Sequence, residues 1–288
     1  MSGILVWTVA LSAVPEPLWP RLARLLDDGE RAKAARFAFE RHRRQHIAAH
    51  ALKRLMLSAV APRPPQSWMF ETAARGKPRV APTTGPRFNL SHCDGRVACA
   101  VSEDVELGVD VEPLSRHAPL ELAPRYFAPD EAGWLGSLPP PDRPLGFFRL
   151  WTLKEAYIKA TGLGMAQELH DFSFGFDPLR VRFDSPSLGH AEAWRFEQRL
   201  IAGSHVLALA WAGAREASVK IEEVCLGRLA ERLCRERPAG RQGFTRTYTP
   251  AEPGACVIAC RMRGELGEEC SCCSFHSGLS GTAVPANS

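Results

Sequence analysis

The spacing of hydrophobic positions changes along this chain, and each change predicts a different element. The opening run ILVWTVALSAV (4–14) is continuously apolar and short. It predicts a buried first strand rather than a signal-peptide core, because no positively charged lead-in precedes it and a helical pattern follows directly. From Pro17 to Val60, Leu22, Leu25, Leu26 and then Ile47, Leu52, Leu55 and Met56 recur at helical spacing. This predicts a long helical stretch, broken once near Phe37–Phe39 and ended by the prolines of APRPP (61–65). Trp68–Glu71 reads as a short strand and ARGKP (74–78) as a loop.

Three strand candidates follow, RFNLSH (87–92), GRVACAVS (95–102) and ELGVDVEP (106–113), separated by the turn-like CDG and SED. In the third, alternation puts Leu107, Val109 and Val111 on one face and Gly108, Asp110 and Glu112 on the other. Gly108 keeps that acidic face uncrowded. A helix is predicted after Ala128–Pro129, a loop at SLPPPDRP (137–144), and a second helix from Leu145 to Thr161, stopped by Gly162. WRFEQRLI (194–201) and HVLALAWA (205–212) predict a closing hairpin. The expected fold class is α+β in two halves, 1–105 and 106–217, each with a helical segment and several short strands. No internal sequence repeat stands out. From Ser218 the pattern weakens, and 218–288 reads as a disordered Cys/Gly/Ser-rich tail.

The 288 residues are 45% hydrophobic, enough for a sizeable core, and no apolar run is long enough to span a bilayer. The formal net charge is only +4, so positive charge matters locally: between Arg31 and Arg54 stand eight Lys or Arg residues and one acid, Glu40. Of nine cysteines, only Cys93 and Cys99 precede residue 225, which predicts a reduced, cytoplasmic protein. In the tail, Cys256, Cys260, Cys270, Cys272 and Cys273, with His276 nearby, are too irregularly spaced and too poor in hydrophobic neighbours for a zinc module.

The candidate chemistry sits on two segments. Asp110 and Glu112 are two anions on one strand face, an arrangement that repels unless a cation lies between them. Glu155 and Lys159 are one helical turn apart, which by itself is also the pattern of a helix-surface ion pair worth about 0.2–0.5 kcal/mol. A third segment, FNLSHCDG (88–95), offers the Ser91 hydroxyl and the His92 imidazole at a strand end. Adjacent strand residues face opposite ways, so a His92–Cys93 nucleophile pair is not expected, and Cys99 reads as core.

FNLSH, LGVDVE and WTLKEAYIKATGLG, in this order and with RGKP (75–78) upstream, closely resemble the 4′-phosphopantetheinyl transferases of the long, two-lobed type over residues 1–215. The resemblance implies a pseudo-dimer of two similar α+β lobes with the active site in the cleft between them. It implies transfer of 4′-phosphopantetheine from coenzyme A, as substrate, to a serine of an apo acyl or peptidyl carrier protein, with release of adenosine 3′,5′-bisphosphate. It assigns Asp110, Glu112 and Glu155 to magnesium, with manganese as the alternative ion, and Glu155, Lys159 and Asp110 to catalysis. For the coenzyme it implies Lys33 and Arg44 near the 3′-phosphate, Arg75, Gly76, Lys77 and Pro78 along the nucleotide, and Asn89, Ser91 and His92 at the phosphates. A monomer is expected, with no nucleic-acid or membrane partner. The rival reading is a nucleic-acid-binding module using 31–54, although Phe37 and Phe39 alone supply stacking aromatics there.

Overall fold

The apolar opening run forms β1 (Gly3–Ala10), and the computed structural model describes residues 3–185, 188–213 and 217–235. The long helical stretch is three helices rather than one broken once: α1 (Trp19–Ala23), α2 (Asp28–Ala35) and α3 (Glu40–Val60). The extra break falls at Asp27, whose side chain accepts from the Glu30 backbone N–H while the Glu30 carboxylate accepts from the Asp27 N–H. That reciprocal capping starts a new helix. β2 (Met69–Thr72) pairs with β3 (Pro78–Ala81), and β4 (Arg87–Cys93) with β5 (Arg96–Ser102).

The second half holds β6 (Leu107–Pro113), α4 (Ala123–Tyr126), α5 (Pro129–Ser137) and α6 (Arg143–Thr161). α6 begins inside the proline cluster expected as a loop, because Pro144 sits in its first turn, where no backbone donor is needed. A hairpin that the sequence pattern did not single out, β7 (Phe172–Phe176) with β8 (Leu179–Phe183), precedes β9 (Trp194–Ile201) and β10 (His205–Ala212).

β5 lies between β1 and β4 and antiparallel to both, and β10 lies between β6 and β9 in the same way. Each half therefore runs strand, long helix, hairpin, strand, strand, with its last strand in the middle of the sheet. The two sheets share a core of Ile4, Val6, Ala98 and Ala100 with Leu107, Val109, Val111, Leu207 and Leu209. α3 covers the outer face of the first sheet and α6 that of the second.

Each half also carries one buried carboxylate–lysine pair of the same design. Glu30, in the first turn of α2, meets Lys53 at 2.7 Å and Arg54 at 2.8 Å, both on α3. Glu131, in the first turn of α5, meets Lys154 of α6 at 2.7 Å. In both cases 23 residues separate the glutamate from the lysine, and the ammonium stands over a phenylalanine of the half's hairpin, Phe70 or Phe172.

Residues 218–235 correct the expected domain boundary. β11 (Ser218–Glu223) adds to the first sheet as a parallel neighbour of β1, and its Val219 and Ile221 join the core between the sheets. α7 (Leu226–Arg235) follows, with Leu226, Leu229 and Ala230 in the core beneath α3. The alternation in SVKIEE and the spacing of those leucines bury enough apolar surface to fold what was expected as tail. The readings of Cys256, Cys260, Cys270, Cys272, Cys273 and His276 fall outside the described residues. No helix among the described residues is long and apolar enough to cross a membrane.

α6 rests directly on β6. A Cβ placed on Gly108 would stand 2.1 Å from the Ala156 carbonyl oxygen and 2.3 Å from the Ala160 nitrogen, both backbone atoms. The face that Gly108 leaves open is thus filled by the helix itself. Gly108→Ala is expected to lift α6 and cost at least about 1–3 kcal/mol, read from urea unfolding.

Burial by itself would raise the Glu30 carboxyl, but the His50 hydrogen bond and the charges of Lys53, His50 and Arg54 hold it well below the usual carboxylate range. Its folded-state pKa is depressed, so its contribution is full above the ordinary value of 4.5 and is lost as pH falls below it. Glu30→Gln is expected to cost about 3–5 kcal/mol at pH 7, because it strands buried cations. Denaturant curves should show that difference narrowing in acid. A chain ended at Gly213, lacking β11 and α7, is expected to unfold at lower urea than the full chain.

Candidate active site

The seam between the halves is made by side chains rather than by a strand ladder. β6 gives one edge to β10, and on its other edge the Val109 N–H donates to Asn89 Oδ1 at 2.9 Å and the Val111 N–H to Ser91 Oγ at 3.4 Å. Asn89 and Ser91 of β4 thereby satisfy backbone donors that burial would otherwise leave unpaired. Asn89, expected at the coenzyme, is through its Oδ1 also a rung of this seam.

Asp110 stands at the centre of the site, on the β6 face that α6 covers, and is 4% exposed. Its Oδ1 accepts from Ser91 Oγ at 2.8 Å and from Lys159 Nζ at 2.6 Å. Lys159 also donates to Ser91 Oγ at 3.1 Å, closing a three-membered node across β4, β6 and α6. Asp110 Oδ2 is buried without a hydrogen-bond partner. Lys159, one turn after Glu155, is thus bonded across to β4 and β6.

Glu112, almost fully buried, accepts from Arg116 at 2.9 Å, and the Arg116 guanidinium stacks over Phe148. Glu155 is buried on α6, one turn before Lys159. The ion set expected from Asp110, Glu112 and Glu155 is not preassembled. Among the described residues, no group of three or more His, Cys, Asp or Glu side chains is arranged to hold a metal. The physical reason is visible in the partners: an ammonium sits on Asp110 and a guanidinium on Glu112. The donors present are carboxylate oxygens, the type magnesium prefers, and Asp110 Oδ2 is open to it.

Ser91 and His92 face opposite sides of β4. Ser91 meets β6, whereas His92 lies on the α3 side, within electrostatic reach of His46. Lys33 reaches the same place. Burial first, and then the charges of Lys33 and His92, push the His46 imidazole down to about 4 against the pull of the Glu30 carbonyl, which its Nε2 meets at 2.9 Å. His46 escaped the sequence reading; its signal is the polar stripe His46, His50, Lys53 along one face of α3.

Arg44 is not brought to this cluster. It is ion-paired with Glu16 and Glu40, stacks over Trp19, and lines a separate cavity of about 310 Å³ with Leu11, Gln45 and Gly95. Within the basic run, Lys53 and Arg54 are buried on Glu30, whereas Arg31, Lys33, Arg36, Arg41 and Arg43 are exposed, Arg43 pairing with Glu40 and Arg31 with Asp28.

The 75–78 loop also departs from expectation. Gly76, at φ 90°, makes the turn between β2 and β3, Arg75 is exposed on it, and Pro78 opens β3. Lys77 points away from solvent into the seam, where Nζ donates to Glu106 Oε2, the Leu107 carbonyl and the Ala160 carbonyl at 2.8, 3.1 and 2.8 Å. All of its donors are used.

A family model described as the 4′-phosphopantetheinyl transferase superfamily matches residues 106–210, the segment from β6 to β10. The chain is 36% identical over 212 residues to the 4′-phosphopantetheinyl transferase HetI of Nostoc sp., covering 72% of this chain and 87% of that protein. It is 28% identical over 156 residues to the 4′-phosphopantetheinyl transferase Sfp of Bacillus subtilis, covering 53% and 67%. It is 26% identical over 212 residues to the human L-aminoadipate-semialdehyde dehydrogenase-phosphopantetheinyl transferase, covering 67% and 69%. With 87% of HetI spanned at that identity, and with the β6–α6 segment matching the family model, the chain belongs to the 4′-phosphopantetheinyl transferase family.

Proposed function

We propose that this protein transfers 4′-phosphopantetheine from coenzyme A to a serine of an apo carrier protein, and that the Ser91–Asp110–Lys159 node marks where the coenzyme's pyrophosphate binds. The observation that carries this reading is the buried Asp110, with an ammonium on one oxygen and the other oxygen open, at the seam of two halves of like topology. On this reading the halves are the lobes of a pseudo-dimer, and the coenzyme lies in the cleft between them.

The carrier serine attacks the phosphorus that bears pantetheine, and the bond from that phosphorus to the oxygen bridging the two phosphates breaks. Glu155 takes the serine proton as the new phosphorus–oxygen bond forms. Lys159, steadied by Asp110 and Ser91, donates to the leaving phosphate, which departs as adenosine 3′,5′-bisphosphate. Magnesium would be held by Asp110, with Glu112 and Glu155 as its further carboxylates, and would offset negative charge on the pyrophosphate. Lys33 supplies positive charge, and His92 an imidazole, at the other side of β4, where the coenzyme's 3′-phosphate is expected.

Incubation with coenzyme A, magnesium and a panel of apo carrier proteins tests the reading, scored by a carrier mass increase of one phosphopantetheine. Glu155→Gln is expected to lower turnover roughly 100- to 10,000-fold with an unchanged circular dichroism spectrum. Near-normal turnover in that variant would remove Glu155 from the reaction. Chelating the divalent ion is expected to abolish transfer, and added magnesium to restore it.

A further inference from the structure

We infer that Lys77 is a positioning residue that caps the helix carrying the reacting groups from the opposite half of the molecule, rather than a ligand of the nucleotide. The inference rests on the assignment of Glu155 and Lys159 to the reaction.

Three observations carry it. First, the Lys77 side chain is 8% exposed and its ammonium has three acceptors, one carboxylate and two main-chain carbonyls, which uses all three of its protons. No side-chain donor is left to turn toward a ligand without breaking a buried bond. Second, the carbonyls belong to the two elements of the site. Leu107 opens the strand that carries Asp110, and Ala160 lies in the last turn of α6, one residue after Lys159. The last four carbonyls of a helix lack intrahelical partners, and a cation there also meets the negative end of the helix dipole. Third, the stem of Lys77 lies against Gly162, the left-handed residue that ends α6, with its Cδ 3.2 Å from where a Cβ would stand.

The anchor is itself held. Glu106 receives Arg87 Nε at 3.0 Å and Arg79 at 3.7 Å besides Lys77, so one carboxylate gathers the β2–β3 hairpin, the start of β4 and the start of β6. Removing the ammonium frees the end of α6 to slide relative to β6. The groups that shift are Lys159 against Asp110 and Glu155 one turn earlier. Displacement of about 1 Å at a reacting group costs roughly 100-fold in rate, with little effect on binding made elsewhere.

The test compares Lys77→Met, Glu106→Gln and Glu155→Gln with the unaltered chain in the carrier-modification assay, alongside coenzyme A affinity by calorimetry. For Lys77→Met, kcat should fall roughly 10- to 100-fold while the coenzyme A KM and Kd stay within about twofold. Glu106→Gln keeps a hydrogen-bond acceptor for Lys77, so it should show the same split at a few-fold scale. It supplies the reading should Lys77→Met fail to fold. A rise in coenzyme A KM and Kd with kcat intact would make Lys77 a nucleotide ligand and overturn the inference, and so would unchanged kcat in both Lys77→Met and Glu106→Gln. An active Glu155→Gln would instead sink the assignment on which the inference stands, a separate and recognisable outcome.

Discussion

The contact between α6 and β6 at Gly108 sets the rest of the site. A strand and a helix ordinarily keep the distance that their side chains demand. Here the strand offers only a hydrogen atom, and the helix backbone comes down onto it. That closeness lets Lys159 reach Asp110 at 2.6 Å rather than lie along its own helix. It also explains why the acidic face is not an exposed edge. One side of β6 is packed into the core between the sheets, the other is under α6, and its open edge is finished by Asn89 and Ser91.

The halves share a skeleton and differ in what they do with it. Glu30 with Lys53 and Glu131 with Lys154 tie a long helix to the start of a shorter one in the same manner. The residue after the lysine differs. In the first half it is Arg54, fully buried and locked to Glu30, Asp27 and two backbone carbonyls. In the second it is Glu155. The same position on the same scaffold holds a structural cation on one side and a carboxylate of the proposed reaction on the other. The repeat is invisible as sequence because a buried ion pair fixes only two positions in each half, and the residues between them are free to drift.

Much of the scaffold was legible from periodicity. The alternation in ELGVDVEP placed Asp110 and Glu112 on one face, and the long apolar stripe ending at Gly162 placed α6. Periodicity says which face a residue takes but not what meets it there. Lys77 and Asn89 were read as coenzyme contacts from the resemblance of RGKP and FNLSH to the family's motifs. The Lys77 ammonium and the Asn89 Oδ1 meet backbone groups twenty or more positions away. Periodicity likewise did not show that Glu16, 28 residues earlier in the chain, meets Arg44. Adjacent Ser91 and His92 had to diverge on a strand, so they serve opposite faces of β4. β11 and α7 were missed because they follow a stretch of weak pattern, although their own spacing was regular.

β11 has a mechanical consequence. It leaves the second half after β10 and runs beside β1, at the edge of the first sheet remote from β4. The molecule is therefore fastened like a book with a spine along β4 and β6 and a clasp on the opposite cover. Opening the covers means stripping six residue pairs of parallel strand, so β11 holds the two halves together at the edge away from the seam.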